Sequence, residues 1–377
     1  MNDDPWMGAP AGASRLLADA ARAEALARAR VAAAAGDIAN RFDARPTDYQ
    51  RATMARLLDM IVGDIEAALR ARLPALLADV ASPEALAAIE VARVPLARPL
   101  LDRARMLADA EFAALLLSRA DEHARVTALA LARAEASAAD PQLFAMPRFD
   151  GLLASADTAL AAAARAVAEG EARRLDRFQD AAAGRLDLPA ELHHRLSWRV
   201  AAALRYYLVG AQALPAAAVD RAVSAAAASA MADYDEGETL EGRAMALVIA
   251  LRLRGLLDDD MLASLALEGH VAVTMAALSA RAGIAIDLVR EIAGDADGAR
   301  LLLLLAASGV SRDAAAALLL ALEPADGIGM AERRMADFDR TTPEFAADAV
   351  ANWRLDPEYR HALADLAAGL GQGDRIA

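Results

Sequence analysis

Alanine is the residue that most constrains what this chain can fold into. It occurs in uninterrupted runs at 161–164, 225–228 and 314–317. Apolar residues make up 57% of the 377 positions, whereas aromatic residues make up only 4%. Alanine has the highest helix propensity, and runs of β-branched residues, which favour strands, are nearly absent. The sequence therefore predicts an all-α fold with a core large enough to order most of the chain.

Apolar residues recur at helical spacing along the chain. The clearest stripe runs from Met54 to Leu76 at steps of three and four residues, which predicts a long amphipathic helix. Shorter helical segments end at prolines and glycines such as Gly283. Acidic residues before these segments, such as Asp258, are expected to cap helix N-termini rather than to bind calcium.

A short pattern occurs twice and predicts two related helical hairpins. His-x-x-Val-Thr begins at His123 and again at His270, each time after a leucine-rich segment that opens with acidic residues. Duplicated hairpins are typical of an α-solenoid. We therefore expect stacked hairpins in which the two histidines hold equivalent structural places. Neither histidine has the paired i, i+4 ligands of a helix-borne zinc site, so we expect no metal here.

Composition excludes several classes of chemistry. The 40 basic residues face 54 acidic ones, and every basic residue is arginine. A chain without lysine has no Schiff-base amine and no phosphate-loop lysine, and a chain without cysteine has no thiol nucleophile or thiolate metal site. The net charge of −14 argues against a nucleic-acid partner. No complete catalytic motif occurs, and we expect no catalytic residues and no cofactor.

Hydropathy favours a cytoplasmic protein without a membrane span. The longest apolar runs, 301–310 and 244–251, are shorter than the roughly 20 residues that cross a bilayer. The segment 1–5 is acidic and lacks the basic start of a signal peptide.

Breaks in the helical pattern predict the domain organisation. We expect a disordered N-terminus with a leading helix over 1–45, an N-terminal helical repeat domain over 46–183, a C-terminal helical repeat domain over 184–370 and a flexible tail over 371–377.

Several phrases of the chain carry a resemblance to a known family. They lie at 89–101 and 106–112, at His123 to Val126, and at 338–354. In this order they resemble the bacterial family called domain of unknown function 2336. Its members have a leucine-rich helix that begins with acidic residues, followed by a histidine at the start of the next helix. The resemblance implies an α-helical repeat similar to HEAT arrays, and the family name assigns no function.

The helix predicted over 189–209 is the most suggestive candidate site. A leucine and valine stripe at steps of four residues would face the core, whereas His194, Trp198 and Tyr206 lie on roughly the opposite side. Large aromatic residues and arginine are the usual anchors of protein interfaces. We therefore predict a surface for an unidentified protein partner, or for a second copy in a homodimer, formed by Arg195, Trp198, Arg199, Arg205, Tyr206 and Tyr207.

An alternative use of the same helix is phosphotransfer. The run from His193 to Arg195 resembles the phospho-acceptor box of one class of sensor histidine kinases, which makes His194 a candidate phospho-acceptor with arginine to pair the phosphoryl oxygens. The lysine and asparagines that follow in those kinases are replaced here by Leu, Ser and Trp at 196–198, and no glycine-rich nucleotide box follows.

Three hypotheses about function follow from these features. The first is a non-catalytic cytosolic scaffold or adaptor in bacterial signalling, and the alternative is a histidine phosphotransfer or kinase-regulating protein. A third hypothesis is an enzyme with acidic, arginine and histidine side chains on a concave face, which no motif supports. The exposure of His194 bears on the choice between the first two.

Overall fold

A computed structural model describes residues 47–91, 95–139, 148–295, 298–322 and 327–356, together with the isolated positions 20, 358–360, 362 and 366. The leading segment predicted over 1–45, apart from Ala20, and the tail predicted over 371–377 lie outside these residues. Within them every regular element is helical, and the paired backbone of Leu175 and Ala181 is an isolated bridge. The prediction of an all-α fold is confirmed, and its solenoid arrangement stays a prediction.

The described helices are numbered here in chain order: α1 (Asp48–Arg70), α2 (Leu73–Leu77), α3 (Pro83–Val91), α4 (Ala97–Arg103), α5 (Ala110–Ala139), α6 (Arg148–Leu153), α7 (Thr158–Arg173), α8 (Ala190–Gly210), α9 (Ala216–Ala232), α10 (Leu240–Leu253), α11 (Asp259–Glu268), α12 (Val271–Ala282), α13 (Ile286–Ala293), α14 (Ala299–Ala307), α15 (Arg312–Leu322), α16 (Gly327–Phe338) and α17 (Pro343–Ala349). Short 3₁₀ turns lie at Arg185–Asp187, Glu236–Glu238 and Ala351–Arg354.

Helix α1 begins with a capping box. The Thr47 hydroxyl accepts the N–H of Gln50 at 3.2 Å, and the Gln50 side-chain oxygen accepts the N–H of Thr47 at 2.7 Å. These bonds satisfy amides that the first helical turn leaves unpaired. The apolar stripe predicted from Met54 to Leu76 is buried as far as Leu73, but the helix ends at Arg70, and Leu76 is exposed on the short helix α2 that follows.

The chain divides into two compact units whose segments alternate in sequence. Of the described residues, unit A comprises those within 29–123 and 165–243, and unit B comprises those within 1–28, 124–164 and 244–377. The domain boundary predicted at 184 lies inside unit A. The predicted helical repeat domains over 46–183 and 184–370 stay a prediction.

Helix α8 lies at the centre of unit A, where it packs against α1, α4 and α9. Leucine and valine at every fourth position, from Leu192 to Leu208, are buried in the hydrophobic core of this unit. Burial of this stripe determines which face of α8 is left outside, because residues four apart share one side of a helix.

In unit B, left-handed glycines end two consecutive helices. Helix α11 ends at Gly269, with φ of 92°, and α12 ends at Gly283, with φ of 67°. Residues with a Cβ rarely adopt these angles. The predicted stop at Gly283 is confirmed. So is the predicted cap, because the Asp258 carboxylate accepts the N–H of Met261 at 2.7 Å at the start of α11.

The two His-x-x-Val-Thr patterns occupy different structural places, so the predicted equivalence of the hairpins is wrong. His123 lies inside α5, where its Nδ1 is 2.7 Å from the Tyr49 hydroxyl. His270 lies before α12 and stacks on Phe149, with ring centroids 3.8 Å apart. No glycine or proline interrupts 110–139, and α5 therefore continues through the position where the pattern suggested a new helix.

Among the described residues, no single helix is long and apolar enough to cross a membrane. Helices α12 and α13 together meet the length and composition of a span, but the chain bends by 115° between them.

Five charged side chains of unit A form a cluster around two buried arginines, Arg119 and Arg174, which we call the buried cluster. Arg174 follows α7, and its Nη1 lies 2.7 Å and 2.8 Å from the two oxygens of Glu122. Its Nε lies 3.2 Å from Asp187, and its Nη2 pairs with Glu241. Arg119 lies 2.9 Å from Glu122 and 2.8 Å from Glu241. Burial opposes the charge of Arg174, but the carboxylates outweigh burial and raise its pKa.

We predict that Arg174→Gln lowers the free energy of unfolding by about 3 to 5 kcal/mol, because the variant removes the buried guanidinium that Asp187, Glu122 and Glu241 share. Urea unfolding followed by circular dichroism measures this loss. The neighbouring Arg173 is exposed and donates to the carbonyl of Glu238 at 3.1 Å, so Arg173→Gln is the matched control and should cost less than about 1 kcal/mol. Equal losses in the two variants would contradict a role for the buried cluster.

Candidate functional site

One face of α8 carries large aromatic side chains at the surface of unit A. His194, Trp198, Ala202 and Tyr206 follow one another at steps of four residues and are all exposed. We call these four residues the aromatic stripe. Trp198 is 39% exposed and Tyr206 is 70% exposed, whereas the leucine stripe on the other face of the same helix is buried. Sequence periodicity therefore predicted correctly which side of α8 faces outward.

The imidazole of His194 is bonded within the stripe. The indole Nε1 of Trp198 donates to Nε2 of His194 at 3.2 Å, and the two rings meet edge to face with centroids 6.3 Å apart. When Nε2 accepts this bond, the proton of a neutral imidazole is on Nδ1. This contact orients the two rings relative to each other on the open face.

Two of the three stripe-flanking arginines are held by the start of α5. Arg199 lies 3.1 Å from Asp109, while Arg195 pairs with Glu111 and lies 3.5 Å from Asp109. Asp109 also accepts the N–H of Phe112 at 3.2 Å. Burial opposes ionisation of Asp109, but the Phe112 amide and the two arginines hold its pKa below the usual value.

The remaining candidate residues lie toward the C-terminal end of α8. Arg205 pairs with Asp220, which lowers the pKa of that exposed carboxyl through the hydrogen bond between them. Tyr207 is half-buried against the core of unit A, and its hydroxyl accepts from the Gln212 amide at 2.8 Å. Tyr207 therefore lies off the exposed stripe, and each of the three arginines has a carboxylate partner.

Sequence reasoning missed the carboxylates that pair with these arginines. Asp109 and Glu111 are about 85 to 90 residues away from Arg195 and Arg199, and the only signal was that acids open the leucine helix at this point. Capping explains an acid at that position, but it does not predict a second partner from a distant helix.

His193, next to the stripe in sequence, faces the interior. Its ring stacks on Tyr234 with centroids 4.2 Å apart, and the Tyr234 hydroxyl donates to the carbonyl of Leu188. Burial lowers the pKa of His193 to about 4, the nearby Arg185 adds to this effect, and Asp64 opposes it. The His-His pair thus places one ring in the core and the other at the surface.

A cleft of about 300 Å³ lies in unit B, away from the stripe residues in sequence. Arg281 lines this cleft, and its guanidinium lies 2.5 Å from a carboxylate oxygen of Asp259 and 3.0 Å from the carbonyl oxygen of Leu257. Within the described ranges, no group of three or more histidine and acidic side chains is arranged to hold a metal ion. The cleft is lined by Arg252, Gly255, Leu257, Asp258, Ala280 and Arg281.

Comparison with known proteins gives one match. A family model described as an uncharacterised protein conserved in bacteria, domain of unknown function 2336, matches residues 145–351, which is more than half of the chain. The matched range includes α8 and most of the closing phrase at 338–354, whereas the phrases at 89–101 and 106–112 precede it. No curated protein and no solved structure matches the chain.

We predict that His193→Gln reduces the dependence of stability on pH. The pKa of His193 in the folded chain, about 4, is below the ordinary value of 6.5. Between pH 4 and pH 6.5, the imidazole therefore binds a proton in the unfolded chain but not in the folded chain. The contribution of the neutral imidazole to the free energy of unfolding is present above pH 6.5 and is lost as the pH falls toward 4. Between pH 7 and pH 5 this loss is about 2 kcal/mol.

Urea unfolding at pH 7 and pH 5 tests this difference. His194→Gln is the matched control, because it changes a neighbouring histidine on the exposed face of α8. In the control, the free energy of unfolding should differ between pH 7 and pH 5 by as much as it does in the unmodified chain. In His193→Gln this difference should be smaller by about 2 kcal/mol. The same pH dependence in both variants would contradict the prediction.

Proposed function

The chain belongs to the bacterial family called domain of unknown function 2336, and we propose that it is a non-catalytic protein-interaction adaptor that works in the cytoplasm. The aromatic stripe of α8 is the surface that binds the partner. Aromatic residues make up only 4% of the sequence, and two large ones lie four and twelve residues after His194 on an open helix face.

The exposure of Trp198 and Tyr206 is the observation that carries this proposal. A side chain that served only the fold would be buried, as the leucines of the same helix are. Tryptophan and tyrosine are enriched among the residues that contribute most to protein binding, because they bury a large area with few rotatable bonds. A rigid helix with a buried opposite face holds both rings in place before a partner arrives.

The surroundings of His194 favour binding over catalysis. A histidine base is normally oriented by a carboxylate or carbonyl on its other nitrogen. Within the described part of the chain, the hydrogen bond made by His194 comes from the indole of Trp198. Two carboxylates beside this face, Asp109 and Glu111, pair with arginines. The stripe therefore offers aromatic surface and ion pairs, which suit recognition of another protein.

We predict that a photo-crosslinking amino acid at position 206 captures a discrete protein adduct in cells of the native host. The matched control is position 178, since Phe178 is equally exposed, at 68%, but lies off α8. An adduct at 206 that is absent at 178 supports binding through the stripe. Equal labelling at both positions would contradict it.

A second prediction separates a binding role of Trp198 from a structural one. Trp198→Ala should lower the affinity for the partner captured at position 206 by about thirtyfold, because truncation of a binding anchor costs about 2 kcal/mol. Its free energy of unfolding should change by less than about 1 kcal/mol, because the ring is partly exposed. A loss of about 3 to 5 kcal/mol in urea unfolding would mean that Trp198 serves the core instead.

Phosphotransfer through His194 is the second candidate function, and the exposure of this imidazole favours it. Two contacts oppose it. The Nε2 atom accepts a hydrogen bond from Trp198, which a phosphoryl group on this nitrogen would break, and Arg195 is paired with Glu111.

Incubation with phosphorylated receiver domains tests the phosphotransfer candidate. If His194 is an acceptor, the chain should take up acid-labile phosphate and His194→Gln should take up none, with His193→Gln as the control that keeps the exposed histidine. Failure to take up phosphate from several receiver domains would remove this candidate and leave the adaptor proposal unchanged.

A further inference from the structure

The aromatic stripe has a similar arrangement when it is followed in either direction from Ala202. Trp198 lies four residues before Ala202 and Tyr206 lies four residues after it, while His194 and Gly210 lie eight residues away on the two sides. Four residues of an α-helix span about 6 Å along its axis and make slightly more than one turn. Two large aromatic rings therefore flank a single methyl group at equal distances on one exposed face.

We propose that the partner of the aromatic stripe is a second copy of this chain, with two α8 helices packed antiparallel across a two-fold axis at Ala202. This inference rests on the proposed function, because it names the occupant of the same surface. In a two-fold contact, residue i meets residue j and residue j meets residue i. Trp198 of each copy then packs on Tyr206 of the other, and both aromatic anchors are covered by one helix crossing.

Small residues leave the room that this crossing needs. The methyl group of Ala202 allows two helix axes to approach to about 8 to 10 Å. No heavy atom lies within 4 Å of the position that a Cβ of Gly210 would occupy, so the surface is open there. In the antiparallel arrangement, His194 of the second copy lies opposite this opening, and its ring can enter without displacing a side chain.

The charges beside the axis are compatible with the same arrangement. Arg199 and Arg205 lie three residues before and after Ala202, so Arg199 of one copy faces Arg205 of the other. Each guanidinium is already paired within its own copy, Arg199 with Asp109 and Arg205 with Asp220. The crossing brings together two neutral ion pairs instead of two uncompensated cations, and opposite charges can alternate across it.

The size and charge of the contact predict its strength and its response to salt. Helix α8 has 21 residues, about 30 Å, and one face of it is smaller than the roughly 800 Å² that each partner buries in a standard stable complex. We therefore expect a weak dimer, with a Kd on the order of micromolar. Each copy carries a net charge of −14, so added salt should strengthen the dimer by screening the repulsion between copies.

Cysteine crosslinking of the full chain tests the two-fold axis. The natural sequence has no cysteine, so a single introduced thiol can form a disulfide only with a second copy. Under mild oxidation at micromolar concentration, Ala202→Cys should form a crosslinked dimer more than about tenfold faster than Ala225→Cys, because a residue on the axis meets its own counterpart. Ala225 is also an exposed alanine, on α9, and serves as the matched control.

Sedimentation gives a measurement that needs no crosslink. Ala202→Glu places two like charges on the axis and should weaken association by more than about tenfold, whereas Ala225→Glu should leave it unchanged. Circular dichroism confirms that both variants keep their helices, since both positions are exposed. A shift toward twice the monomer mass that grows with salt supports the dimer.

Other outcomes overturn the inference in distinguishable ways. A monomeric mass at about one hundred micromolar, with equal crosslinking at positions 202 and 225, excludes the two-fold contact. If the adduct captured at position 206 in cells then contains a different protein, the adaptor proposal stands without the homodimer. If position 206 captures no adduct either, both proposals fall. Self-association that weakens with added salt would contradict a contact that is opposed by the net charge of two acidic copies.

Discussion

The position of α8 depends on the buried guanidinium of Arg174. Its Nε binds one oxygen of Asp187, and the other oxygen of this carboxylate accepts the N–H of Gly184 at 3.0 Å. Both oxygens of the Asp187 carboxylate therefore hold the segment before α8 in place. Tyr234 continues this path, because its hydroxyl donates to a carbonyl of the same segment and its ring stacks on His193 in the first turn of α8. The cluster thereby fixes the direction in which the aromatic stripe faces.

Local features of the fold could be predicted because they depend on residues that are close in sequence. The all-α class follows from alanine content, the cap at Asp258 from an acid before an apolar run, and the helix end at Gly283 from a residue without a Cβ. The buried cluster could not be predicted in this way. Arg119 and Arg174 meet Glu241 across 122 and 67 residues, and no short-range pattern reports such a meeting.

The candidate site shows the same division between local and distant information. Periodicity correctly placed His194 outward, since its angular position follows from the leucine stripe of the same helix. The prediction failed for His123, because the repeated pattern around this residue does not mark the start of a helix. Helix α5 continues through it, so His123 lies inside a long helix. The partners of the three arginines could not be predicted either, because Asp220 and the acids of α5 reach α8 only through the tertiary fold.

The restriction to arginine shapes how this surface can recognise a partner. A guanidinium stays charged at all physiological pH values and presents a planar fork that suits a carboxylate. Around the stripe, Arg195, Arg199 and Arg205 are each paired with a carboxylate, so the rim is held in place and adds little net charge. Specific recognition must then come mainly from the rings of Trp198 and Tyr206. A surface whose charges are already paired avoids strong attraction to arbitrary basic or acidic proteins, which favours a partner that matches the spacing of its aromatic side chains.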